Sequence, residues 1–140
     1  MHITILAIGK MKHQAQKALM DDYLRRMHWD VTIKECTEGA DLLAQCPKGA
    51  RIIVLDERGA SLSSSAFSNH LEGWTNNSIS HICCLIGGAD GHSEAVRKAA
   101  HLTLSFGAMT WPHMLARLLL VEQLYRAQQI IAGHRYHREG

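Results

Sequence analysis

The chain has 140 residues, 46% hydrophobic and 20% charged, which suits one domain with a real core and excludes a long disordered segment. No apolar run reaches the roughly 18 residues that a membrane span needs. The net charge of +2 excludes a uniformly basic surface, yet all of the excess lies in residues 111–140, where four Arg meet two Glu; residues 1–110 balance at 11 and 11.

The first residues, MHITILAIGK, read as a strand. Their apolar stretch is too short for a secretory leader and no small-residue cleavage site follows, so a cytoplasmic protein is expected. In AQKALMDDYLRRM, the apolar residues Ala18, Leu19, Tyr23, Leu24 and Met27 recur at three-to-four spacing and predict a first helix with a charged outer face. VTIKEC (31–36) and RIIVLD (51–56) predict two further strands. A second helix runs from the serines at 63–65, which offer caps, through Phe67 and Leu71 to Trp74. HICCLI (81–86) is the fourth strand, HSEAVRKAA a short helix capped by Ser93, and HLTLSF (101–106) the fifth strand. The last helix, PHMLARLLLVEQLYRAQQIIAG, opens at Pro112 and closes near Gly133.

Several strands are apolar without alternation, as in a parallel sheet covered by helices on both faces, so the pattern predicts an α/β fold. No repeat or linker divides the chain, and one domain over 1–140 is expected. Cys36, Cys46, Cys83 and Cys84 show no CxxC spacing; reduced, buried thiols are expected, the adjacent two on opposite faces of a strand. Leu118–Val121 spread apolar surface over more than one face of the last helix. Either that helix is buried throughout, or it is core on one side and a subunit interface on the other, the second being favoured.

Ligands of open parallel sheets sit beyond the carboxyl ends of the strands, where this chain places ERG, GGADG and GAMTWP. LIGGADG is neither GxGxxG nor a Walker loop, so a nucleotide bound here lacks a pyrophosphate. S-adenosylmethionine, with an adenine and a cationic sulfonium, fits; Leu55, Met109, Trp111 and Pro112 are candidate apolar walls. His113 opens the last helix, where the dipole favours a neutral imidazole able to act as a base. His134 and His137 lack metal-ligand spacing, and no metal site is expected.

Together, LDERG (55–59), LIGGADG (85–91), AMTWPHMLARLLLVEQLYRA (108–127) and the terminal YHRE (136–139) closely resemble the ribosomal RNA large subunit methyltransferase H family of the SPOUT superfamily, in order and over the whole chain. The resemblance implies a deep trefoil α/β knot, an exception to the rule against threaded connections. It implies a homodimer with the last helix at the interface. It also implies methyl transfer from S-adenosyl-L-methionine to N3 of a pseudouridine in 23S ribosomal RNA on assembled 70S ribosomes, with no membrane or metal partner. Carried over by position, Leu55, Gly87, Gly88, Gly107, Ala108, Met109, Thr110, Trp111 and Pro112 bind the cofactor. His113, Arg126, Tyr136, His137 and Arg138 surround the methyl-transfer site, the tail reaching the partner's cofactor.

Three departures stand out. Gly107 replaces the serine usual in the family, the 37–49 connection is short, and Gly140 extends past YHRE. Because the N3 imide is protonated at neutral pH, transfer needs a base or stabilisation of an anion. His113 and His137 are the candidate bases, Arg126 and Arg138 the stabilisers, Tyr136 a base-stacking residue and Arg135 a phosphate contact. Lys10, Lys12, Arg25 and Arg26 are further candidates for phosphate contact. The competing readings are a SPOUT methyltransferase for another RNA, a non-enzymatic ribosome- or RNA-binding protein, and a nucleotide-dependent oxidoreductase. The last is disfavoured by the missing GxGxxG.

Overall fold

The computed structural model describes residues 1–138; Glu139 of the terminal motif and Gly140 lie outside the described residues. Strands β1 (His2–Ile8), β2 (Asp30–Cys36), β3 (Arg51–Ala60), β4 (His81–Ile86) and β5 (Leu102–Leu104) form one sheet in the order β2-β1-β4-β3-β5. Every strand pairing in it is parallel. Helices α1 (Gln14–Arg26), α2 (Ser64–Asn76) and α3 (Glu94–Ala99) and a 3-10 turn (Leu43–Gln45) connect the strands, and α4 (His113–Ile131) follows β5.

Alternation along the strands sorts their side chains into two layers. Ile3, Ile5, Ile53, Ile82 and Cys84 face α1, α2 and α4, packing with Met20, Phe67, Leu71, Leu120, Val121 and Leu124. Leu6, Ile8, Ile52, Val54, Cys83 and Leu85 face the thinner layer built from Leu42, Cys46, Val96 and Ala100. Each fully buried Leu or Ile contributes roughly 1.5–3 kcal/mol, so the central strands β1 and β4 carry much of the fold. Cys83 and Cys84 do alternate to opposite faces, and burial pushes the Cys84 thiol up to about 12. Cys36 and Cys46 are only partly buried, because β2 is an edge strand and Cys46 ends the short turn; the expectation of four buried thiols is corrected there.

Two element boundaries and the inward face of one helix also move. Leu104 pairs with both Leu55 and Ala60, so β3 continues past the expected 56 after an arch at 56–59. The fifth strand ends at Leu104, two residues early, because the Ser105 hydroxyl bonds the backbone N and O of Gly107 (3.1 and 2.9 Å) and turns the chain. On α1, Met20 is buried and Leu19 is 48% exposed. The inward stripe is Met20, Tyr23, Leu24 and Met27, and Leu19 stands about 100° away from Met20. Ser63 and Ser93 cap α2 and α3 as expected, accepting from Ala66 N and Val96 N.

α4 runs antiparallel to the strands. Near its start, Arg117 reaches the carbonyl of Gly9, just past the end of β1. Near its finish, Gln128 Oε1 accepts from His28 N and Trp29 N, just before β2. This direction governs the site.

Candidate active site

A cavity of about 640 Å³ opens beyond the carboxyl ends of β3, β4 and β5. Its walls are the arch at 56–58, the turn at 87–92 and the segment 105–112. The nine positions picked out for the cofactor, Leu55, Gly87, Gly88, Gly107, Ala108, Met109, Thr110, Trp111 and Pro112, all line it, and His113 stands at its edge. Met109 and Trp111 are exposed (79% and 45%), apolar surface that the folded protomer leaves uncovered.

The two glycines after β4 are needed for different reasons. A Cβ on Gly87 would lie 2.8 Å from the carbonyl oxygen of Gly91, whereas the atoms nearest one on Gly88 would be the carboxylate end of Glu38, at 2.6 Å. Backbone cannot yield there, but an exposed glutamate can. Gly87 therefore shapes the turn, and Gly88, on the cavity wall, leaves room for the Glu38 carboxylate.

Charge in the cavity is largely internal. Asp56 has a side chain 8% exposed and sits 2.8 Å from Arg97 Nε. Burial opposes its ionisation, but hydrogen bonds from Arg58 N and Arg97 prevail and hold its carboxyl below the usual range. Thr110 donates to Glu57 (3.3 Å), tying the arch to the last loop. His92 is 9% exposed, its Nε2 without a hydrogen-bond partner, and burial lowers its pKa. A neutral imidazole, compensated arginines and added carboxylates suit an uncharged or cationic ligand better than a polyphosphate.

His113 is seated by Gly9; a Cβ there would stand 3.4 Å from the imidazole Nε2. One helical turn further on, Arg117 is fully buried. It donates to Glu35 Oε2 (2.7 Å) and to the Gly9 carbonyl (2.9 Å). The same Glu35 oxygen accepts from Met11 N at 2.7 Å. That backbone bond first, then Arg117, holds the Glu35 carboxyl below its ordinary range. Thus α4, β1 and β2 are locked together beneath His113. Neither residue was picked out from the sequence. The available signal was an arginine four residues after His113 inside an apolar run.

The remaining predicted residues do not join the cavity. Arg126 lies 13 residues along α4 from His113, about 20 Å at the helical rise, at the opposite end of the sheet. There it contacts Glu122 Oε1 through NH2 at 2.7 Å and His137 Nδ1 through NH1 at 3.1 Å. A guanidinium only donates, so His137 Nδ1 is the acceptor and the imidazole proton sits on Nε2. Tyr136 donates to Glu122 (3.0 Å) and its oxygen accepts from the Tyr23 hydroxyl (3.2 Å), with its ring edge-on to Tyr125 and beneath the Arg126 guanidinium. Burial, then these hydrogen bonds, keeps its hydroxyl protonated well above the usual range. The tail is therefore anchored on α4, and Arg138 beyond it is exposed. Within one protomer the two halves of the predicted site are separate.

A second cavity of about 440 Å³ shares Leu104–Gly107 and Trp111 with the first and is bounded by Ser61–Ser64, Leu119 and Gln123. Among the described residues no group of three or more His, Cys, Asp or Glu is placed to hold a metal ion, and no helix is long and apolar enough to cross a membrane.

A family model described as a predicted SPOUT methyltransferase matches residues 1–137. The chain belongs to the SPOUT methyltransferase family. It is 44% identical over 151 aligned positions to the ribosomal RNA large subunit methyltransferase H of Rhodospirillum centenum, with 99% of each chain covered. It is 43% identical over 141 positions to the same-named protein of Novosphingobium aromaticivorans, each covered in full. Among solved structures it resembles a probable methylase family protein from Haemophilus influenzae Rd KW20. That match has a TM-score of 0.61 at 9% identity, covering 99% of this chain and 70% of that one, and it supports the SPOUT α/β fold.

Proposed function

We propose that this chain is the methyltransferase that modifies N3 of a pseudouridine in 23S ribosomal RNA on assembled 70S ribosomes, with S-adenosyl-L-methionine as donor. It would work as a homodimer in the cytoplasm, its chain carrying the trefoil knot of its family. The observation that carries the reading is the convergence of all nine candidate cofactor residues on one cavity beyond β3, β4 and β5, in a chain with full-length relatives named for this activity.

The residues present fit the cofactor. Gly88 adds no side chain to the cavity wall, Leu55, Met109 and Trp111 supply apolar walls for an adenine, and no phosphate cradle is built. When bound, S-adenosyl-L-methionine supplies an activated methyl group on a sulfonium. The chain's own work is to position N3 of the base and move its proton. His113, held over Gly9 at the cavity edge, is the better base. His137, on the tail, is suited to stabilise the carbonyl oxygen that gains charge as N3 is deprotonated. Arg138 adds positive charge there. Tyr136, with its ring covered by Tyr125 and Arg126, anchors the tail rather than stacking on a base.

Because His137 and Arg138 stand about 20 Å of helix away from His113 in the same chain, they serve the partner's cavity. A two-fold axis across α4 brings opposite helix ends together. The second cavity, beside Trp111 and Gln123, is the natural seat for that incoming tail.

The test is transfer of labelled methyl from S-adenosyl-L-methionine to ribosomes lacking the modification, alongside isolated subunits and free RNA, with mass spectrometry to place the label. Label at N3 of one pseudouridine, on 70S particles only, is expected. Cofactor binding without label on any ribosomal RNA would overturn the substrate. Absence of cofactor binding would leave a non-enzymatic RNA-binding protein.

A further inference from the structure

The turn joining β1 to α1 has an alternating construction. Met11 is buried (8% exposed) in the core beneath α4, while Lys10 and Lys12 on either side of it are exposed. The backbone that presents them is fixed at three points. Gly9 N donates to the Cys36 carbonyl at 2.9 Å, the Gly9 carbonyl accepts from buried Arg117 at 2.9 Å, and Met11 N donates to Glu35 at 2.7 Å. Among the described residues, neither Lys10 nor Lys12 forms an ion pair, and the nearby Glu35 carboxylate is already taken by Arg117. The turn begins directly under His113, whose Nε2 packs on Gly9.

We propose that Lys10 and Lys12 form a preset cationic pair that grips backbone phosphates of the RNA strand presenting the target base to His113. The proposal rests on the RNA substrate proposed above. Unpaired lysines on a fixed backbone suit phosphate, a spherical anion that needs charge more than directional hydrogen bonds. Because the turn that carries them starts at Gly9, against His113, phosphates held there and a base in the cavity fit a single strand. Contacts of this kind position the substrate and carry no sequence information. Holding the turn by a buried arginine removes the ordering cost of a mobile loop from each binding event.

The experiment compares wild type with a Lys10→Gln/Lys12→Gln variant, with Lys48→Gln, near the start of β3, as control. Methyl transfer is measured against the concentration of modification-deficient ribosomes at several salt concentrations, and cosedimentation is measured with ribosomes and with protein-free 23S RNA. The variant should raise KM for ribosomes about tenfold with kcat and cofactor Kd unchanged. It should also flatten the slope of log(kcat/KM) against log salt by about 1.5, two phosphates' worth, and weaken binding to both RNA forms. Lys48→Gln should change nothing. An unchanged KM and slope would overturn the proposal, as would a fall in kcat alone, or a loss on ribosomes that naked RNA does not share, which would assign the lysines to an acidic protein surface. Failure of wild type to methylate ribosomes would count against the substrate reading, while cosedimentation would still decide whether the lysines hold RNA.

Discussion

Arg117→Met removes a fully buried guanidinium while keeping most of the side chain's volume. The variant loses two short charge-assisted hydrogen bonds, to Glu35 and to the Gly9 carbonyl, each worth about 1.5–3 kcal/mol, and a long, weak one to the Ile8 carbonyl (3.5 Å). It recovers about 1–3 kcal/mol because Arg117 Nε, buried without a partner, no longer goes unsatisfied. The Glu35 side chain is 38% exposed, so water takes over much of its solvation. The balance is a loss of about 2–3 kcal/mol, which in a domain of this length lowers Tm by about 10 °C. Glu35→Gln should cost at least as much, since it leaves a buried charge without its counter-ion. The double variant should cost less than the sum of the two. Thermal and urea unfolding at neutral pH measure all three. A Tm for Arg117→Met within about 2 °C of wild type would refute the account of this cluster as the clamp beneath His113, and kcat unchanged in a stable variant would refute its positioning role.

Gly88→Ala should change Tm little, because the atoms nearest the new Cβ belong to the flexible carboxylate end of Glu38, yet by shifting a residue of the cavity wall weaken S-adenosyl-L-methionine binding at least about tenfold, or 1.4 kcal/mol; calorimetric titration decides. Gly87→Ala, against the Gly91 backbone, should instead lower Tm itself. His81, His92 and His101 all have pKa values lowered chiefly by burial. Their unfolded-state pKa of about 6.5 is then the higher one, so the unfolded chain takes up protons first. Stability should be full above about pH 6.5 and erode as pH falls below it. His92→Gln should flatten that slope, and a Tm that rises on mild acidification would contradict it. Tyr136→Phe gives up the hydrogen bonds to Glu122 and Tyr23. It should cost about 1 kcal/mol and reduce methyl transfer with cofactor affinity intact.

The sheet was legible in the sequence because β-branched runs of strand length leave few alternatives, and Ser63 and Ser93 mark two helix starts by chemistry that acts locally. The cavity was legible for the same reason: three glycine-bearing segments follow three strands, and strands of a parallel sheet deliver their carboxyl ends to one edge. Less local features were not. The inward stripe of α1 is set by where α4 packs, so Leu19 and Met20 exchanged places. The arch at 56–59 shows only when Ala60 rejoins Leu104. Arg117 finds Glu35 82 residues away, and no spacing rule reaches that far. The separation of His113 from His137 depends on the direction of α4 against the sheet, fixed by contacts such as Gln128 with His28.

Assembly of the site from the cavity of one subunit and the tail of the other is tested most directly by mixing inactive variants. His113→Ala removes the cavity's base, and His137→Ala/Arg138→Ala removes the tail; each homodimer should be inactive on ribosomes. Unfolded together in equal amounts and refolded, they should form mixed dimers in which one of the two sites joins an intact cavity to an intact tail. Random assortment in a two-fold dimer then restores about a quarter of wild-type methyl transfer. No recovery, with mixed dimers shown to have formed, would mean that cavity and tail work within one chain, contradicting the account.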